Sequence, residues 1–102
     1  MAFVALAQAA DIPVGKAAYV ETAGLTLALF NLGGGRFRAL TSICPHEDGP
    51  LAEGWLEGGN VVCPWHGYDF ELATGRCNVD DGLSVGVYET RVVDGAVEVD
   101  LP

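Results

Sequence analysis

The sequence predicts an all-β domain of short antiparallel strands, and three observations carry that prediction. Glycine, 14 of 102 residues, interrupts short runs rich in β-branched and aromatic side chains. The closing stretch AVEVDL (96–101) alternates Val97, Val99 and Leu101 with Glu98 and Asp100, the period of a strand buried on one face. No segment sustains a helical period.

The first strand is expected over residues 3–6. MAFVALAQAA contains Ala-x-Ala spacings that imitate a signal cleavage site, but no Lys or Arg precedes Lys16 and the apolar part is short, which argues against export. AAYVE (17–21), LTLALFNL (25–32) and RFRALTSI (36–43) are the next strand candidates, with Ala23-Gly24 and Gly33-Gly34-Gly35 as the turns between them. LSVGVYETRVV (83–93) then leads through Asp94-Gly95 into residues 96–101, and Asp-Gly between such runs is a strong hairpin signal. The chain shows no internal repeat or low-complexity tract.

A chain of this length forms one domain, residues 1–102, with room for one core. Half of its residues are hydrophobic, yet no apolar run approaches the roughly 20 residues of a bilayer-spanning helix. The expectation is a soluble, cytoplasmic protein with no membrane partner. Fourteen acids against five bases give a net charge of −9, which repels nucleic acid. Eight of the acids fall between residues 47 and 81, where Arg76 is the only base. That concentration is either a solvated acidic surface or a docking patch for a basic protein.

Residues 44–82 differ from the rest, because they hold all three cysteines, both histidines and both tryptophans. The layout suggests a β base, about 1–43 and 83–102, carrying a cofactor-holding insert at about 44–82. Within the insert, Cys44-Pro45-His46 and Cys63-Pro64-Trp65-His66 form two Cys/His pairs separated by 16 residues. An odd number of cysteines without an export signal makes a disulfide framework a poor explanation and metal binding a better one. Cys₂His₂ is also a zinc set, so a structural zinc module is one reading. Zinc sites, however, usually pair Cys with Cys and His with His at wider spacing, whereas each pair here mixes a thiolate with an imidazole.

Cys-x-His followed 16 residues later by Cys-x-x-His, within SICPHEDGPLAEG and CPWHGYDFELATGR, resembles the binding motif of Rieske [2Fe–2S] proteins. The resemblance implies three small antiparallel sheets with the cluster at the tip of two loops. It implies that Cys44 and Cys63 bind one iron, and that His46 and His66 bind the other, outer iron through Nδ1. Two thiolates neutralise the oxidised iron–sulfide core, so reduction creates a single negative charge; four thiolates would place the electron on an already negative centre. That difference is why Rieske potentials, about −150 to +300 mV, lie above the roughly −400 mV of plant-type ferredoxins. Exposed imidazole N–H groups would also let reduction couple to protonation and let a partner approach the outer iron.

The resemblance also points to the low end of that range. Rieske subunits of cytochrome bc complexes join their two cluster loops by a disulfide, and the matching positions here are Gly49 and Trp65. Those subunits also place a serine and a tyrosine to donate hydrogen bonds to sulfur, where this chain has Tyr68 and Phe70. Tyr68 is too long to copy a serine and Phe70 cannot donate, so the added electron is less stabilised. Pro45, Pro64 and Trp65 would shape and cover the cluster, while Trp55, Phe70 and Leu72 read as core and Cys77 as a small buried apolar side chain. Gly67 and Gly75 read as tight turns. Relatives often seal the cluster with a proline-containing third loop; no proline lies between Pro64 and Pro102, which leaves CNVDDGLS (77–84) for that task.

Two redox functions follow from the resemblance. One is a Rieske-type ferredoxin carrying single electrons between a flavoprotein reductase and a terminal oxygenase such as an aromatic-ring dioxygenase, with no substrate turnover of its own. The other is the small subunit of an NAD(P)H-dependent nitrite reductase, because TGRCNVDDGLSVGVYETRVVDGAVEV is similar to the C-terminal part of that subunit; its partner would be the flavin- and sirohaem-containing large subunit.

Overall fold

The computed structural model describes residues 2–44, 49–65 and 67–102. In chain order the strands are β1 (Ala2–Gln8), β2 (Ala17–Thr22), β3 (Leu25–Gly33), β4 (Arg36–Thr41), β5 (Ile43–Cys44), β6 (Gly49–Pro50), β7 (Trp55–Glu57), β8 (Asn60–Val62), β9 (Asp69–Glu71), β10 (Val87–Tyr88), β11 (Thr90–Val93) and β12 (Ala96–Leu101). They form three antiparallel sheets, ordered β1-β12-β11, β10-β4-β3-β2 and β7-β8-β9, with β5 and β6 as a separate two-residue ladder. Two three-residue 3₁₀ turns, Ala9–Asp11 and Leu51–Glu53, are the helical pieces among the described residues. The all-β fold of three small antiparallel sheets is as the sequence predicts.

The four-stranded sheet is the middle layer, and the burial of β3 shows why. Leu27 and Leu29 point into an outer core with Ile12, Phe37, Ala39, Val97, Val99 and Leu101. Ala28 and Phe30 point the other way, into an inner core with Leu40, Leu51, Val61, Cys63 and Phe70. A strand covered on both faces reads as an unbroken apolar run, which is what LTLALF is. Its four central residues are fully buried, and each large one contributes about 1.5–3 kcal/mol. The outer core joins the two ends of the chain, while the inner core ties residues 51–85 onto the middle sheet.

The hairpins follow from turn chemistry. Ala23 (φ 50°) and Gly24 (φ 77°) connect β2 to β3, and Asp94 (φ 50°) and Gly95 (φ 81°) connect β11 to β12. Two consecutive positive φ values make the tight turn whose twist matches the flanking strands.

Two expectations need correction, for residues 36–43 and Trp55, and the run 83–93 is divided. The strand expected over 36–43 ends at Thr41, because buried Ser42 turns the chain: its N–H donates to the Thr26 carbonyl at 2.8 Å, and its own carbonyl accepts from Leu51 N–H at 2.8 Å. The run 83–93 breaks into β10, which pairs with β4, and β11, which pairs with β12, so the chain changes sheets at Glu89. Trp55 is not core: it is 46% exposed, with its indole N–H donating to Glu57 Oε2 at 2.7 Å. Alternation along β7 sends Leu56 inward and leaves Trp55 and Glu57 outside.

Candidate metal centre

Backbone pairing fixes the place of each cysteine. Cys44 ends β5 opposite Gly49 on β6. Cys63 follows β8, and its N–H donates to the Tyr68 carbonyl at 2.7 Å, closing the loop 64–67. His46, Pro45 and His66 lie outside the described residues. Cys63 is a fully buried free thiol among the inner-core side chains. Cys63 opens the second Cys/His pair and makes no disulfide, so its sulfur is available as a soft metal ligand. Pro64 and Trp65, next to it in sequence, are exposed, Trp65 at 46%. Gly67 supplies the left-handed conformation, φ 73°, that lets the loop turn back into β9.

The two loop bases are linked through residues 51–54. Leu51 is fully buried in the inner core beside Cys63. Gly54 lies against the carbonyl of Val62, the residue before Cys63: a β-carbon at 54 would sit 2.0 Å from that oxygen. This close approach is a site feature the sequence reading missed. Its only signal was a glycine between an acidic residue and a tryptophan.

A third segment is fastened beside the second loop. Asn78 donates to Asp69 twice, from its N–H to the carbonyl at 2.9 Å and from Nδ2 to Oδ2 at 3.1 Å. Asp80 Oδ1 accepts from Gly82 N–H at 2.9 Å, and Cys77 N–H donates to the Leu83 carbonyl at 3.1 Å. Residues 77–84 therefore form a closed loop pinned to β9 without a proline. Leu83 packs on the inner core, while Val79, Asp80 and Asp81 face solvent. Cys77 is 3% exposed, bridged to Phe70 across the backbone and packed in the inner core as a small apolar side chain. Phe70 and Leu72 are core, as the sequence suggests, and Tyr68 packs against them half-buried. Gly75, φ 80°, is a tight turn whose β-carbon position lies 2.1 Å from the Val85 carbonyl.

The profile of the Rieske [2Fe-2S] domain family matches residues 2–89. The chain belongs to the Rieske [2Fe–2S] family, and its cofactor is the [2Fe–2S] cluster rather than zinc. Ferredoxin CarAc of Metapseudomonas resinovorans is 33% identical over 93 residues, 89% of this chain and 86% of that protein. A chain in the solved complex of reduced oxygenase and oxidized ferredoxin in carbazole 1,9a-dioxygenase superposes with TM-score 0.82 at 31% identity, covering 95% of this chain and 91% of that one. A nitrite reductase small subunit, NADH-dependent, from Mycobacterium tuberculosis superposes with TM-score 0.87 at 26% identity, covering 96% and 93%. Several curated relatives are far longer: the chain spans 15% or less of four of them. Among the described residues no helix is long and apolar enough to cross a membrane.

Proposed function

We propose that this chain is a one-electron carrier, a low-potential Rieske-type ferredoxin that takes electrons from a flavoprotein reductase and passes them to a terminal oxygenase in the cytoplasm. The observation that carries the reading is the near full-length match to a protein that is itself a ferredoxin, Ferredoxin CarAc, over 93 residues. The superposition on a chain from an oxygenase–ferredoxin complex supports the same class of partner.

In this reading the bound cluster supplies reversible one-electron chemistry. Cys44 and Cys63 would hold one iron and His46 and His66 the other, on an insert (about 44–82) carried by a β base. Cys63, sealed in the inner core, keeps water from the thiolate end. Exposed Pro64 and Trp65 belong to the second loop, where a partner would approach. The acids at 80 and 81, exposed on the pinned third loop, favour a partner with a basic face.

The test is a visible spectrum and a turnover assay. The purified protein should be red-brown and bleach on one-electron reduction, and addition to a flavoprotein reductase and an aromatic-ring dioxygenase should restore product formation. A colourless zinc protein would end the redox reading.

A second reading, the small subunit of an NAD(P)H-dependent nitrite reductase, is favoured by the superposition on the Mycobacterium tuberculosis subunit. Co-purification with a large flavin- and sirohaem-containing chain, in place of a free monomer, would decide for it.

A further inference from the structure

On β4, alternate residues Arg36, Arg38 and Leu40 share the face turned toward the inner core, since Arg38 pairs with Phe30 and Leu40 with Ala28. Leu40 is fully buried in that core. One step along, where the core gives way to the turn of the β7–β8 hairpin, the same face carries arginine. Arg36 and Arg38 line a cleft of about 300 Å³ whose other walls are Leu32, Leu56, Leu72 and the Gly58-Gly59 turn. The turn is tied to the far wall by Leu72 N–H donating to the Gly59 carbonyl at 2.9 Å. A second cavity of about 290 Å³ shares Leu32, Arg36 and Arg38 with it and is lined by Glu89 and Arg91 as well.

The charge arrangement is unusual for this chain. With fourteen acids for five bases, carboxylates are plentiful, yet among the described residues neither Arg36 nor Arg38 has one as a partner. Arg38 Nε is buried with no acceptor at all. By contrast Arg91 binds Glu98 Oε1 at 2.6 Å and stacks 4.1 Å from the Phe3 ring. Glu57 is engaged by the Trp55 indole and Glu71 by the Thr74 hydroxyl, and Glu89, which lines the second cavity with both arginines, makes no ion pair with either among the described residues. A half-buried guanidinium without an anion bears a desolvation cost that a bound anion would offset.

We propose that this cleft is a binding site for a small organic carboxylate with an apolar body. The guanidinium of Arg38, with Arg36 beside it, takes the carboxylate in a forked pair of hydrogen bonds. Leu32, Leu56 and Leu72 take the apolar body. The net charge of −9 favours a monoanion over a multiply charged phosphate. Gly58 and Gly59, beside which no atom lies within 4 Å of a would-be β-carbon, leave the entrance open. The seat is at the far end of the β7–β8 hairpin from Cys63, so it stands or falls apart from the electron-transfer reading.

The test is titration of the holoprotein with benzoate, benzyl alcohol and inorganic phosphate, followed by amide and leucine-methyl NMR shifts, with the visible spectrum as the check on an intact cluster. Benzoate should shift the resonances of Arg38, Gly58, Gly59 and the Leu56 and Leu72 methyls. Arg38→Met should weaken that binding at least tenfold, and Arg36→Gln by a smaller factor, without changing the visible spectrum. If Arg38→Met does not fold, Arg36→Gln alone must weaken benzoate. Benzyl alcohol binding as tightly as benzoate, phosphate binding more tightly, or no shift at these residues would overturn the proposal.

Discussion

Gly54 and Val62 meet backbone to backbone, with the β-carbon position of one 2.0 Å from the carbonyl oxygen of the other. The contact joins the segment that leaves the first cluster loop to the strand that enters the second. Because the obstacle is backbone, it cannot rotate away. Gly54→Ala should therefore force the two loop bases apart and cost about 1–3 kcal/mol, the range for overpacking. Chemical denaturation should show that loss, together with faster bleaching of the cluster in air. A variant as stable as the parent would mean that the two segments slide freely.

The cysteines should divide cleanly. Cys77 sits in the inner core as an apolar side chain, so Cys77→Ser should leave the visible spectrum unchanged and cost about 1–3 kcal/mol for a buried hydroxyl. Cys63→Ser should abolish the wild-type spectrum. His46→Cys should alter both spectrum and potential, since it would add a charged thiolate at the outer iron. If His46→Cys kept the parent spectrum, or Cys77→Ser lost it, the proposed ligand set would be wrong.

The sequence made strands legible where one physical signal dominated. The alternation in AVEVDL gives β12 residue for residue, and Asp94-Gly95 gives its hairpin. It was less informative where the chain changes partners. LSVGVYETRVV reads only as a run leading into the hairpin, and the pairing of Val87–Tyr88 with β4 and of Thr90–Val93 with β12 divides it. Likewise Trp55 looked like core because of its size, but a three-residue strand has one inward position and Leu56 fills it. The proposed ligands Cys44, His46, Cys63 and His66 were singled out by residue type and spacing. Gly54 and the pairless arginines were not, because close approach and lack of a partner are properties of the folded chain.

Ala23 is the non-glycine residue in the β2–β3 turn, held at φ 50°. The left-handed region costs an ordinary side chain roughly 1–2 kcal/mol, and asparagine pays less. Ala23→Asn should therefore raise stability by up to about 1 kcal/mol, a few degrees in Tm for a domain of this size. The site is remote from the cluster loops in sequence, so the spectrum and potential should stay the same. A drop in Tm would show that the turn is not the tight hairpin described.

The potential offers the sharpest check on the low-potential reading. Phe70, where some relatives have a donor, is a fully buried ring without a hydroxyl. The position that would carry a bridging cysteine is Trp65, which is half exposed. With fewer hydrogen-bond donors to sulfur, reduction places a negative charge that is less stabilised, and the net charge of −9 opposes that charge further. The midpoint should fall near the bottom of the Rieske range, about −150 mV. Raising the ionic strength should screen the surface acids and move the midpoint upward. A midpoint well above zero in a spectroelectrochemical titration would show that other donors reach the sulfurs and would sink the low-potential assignment.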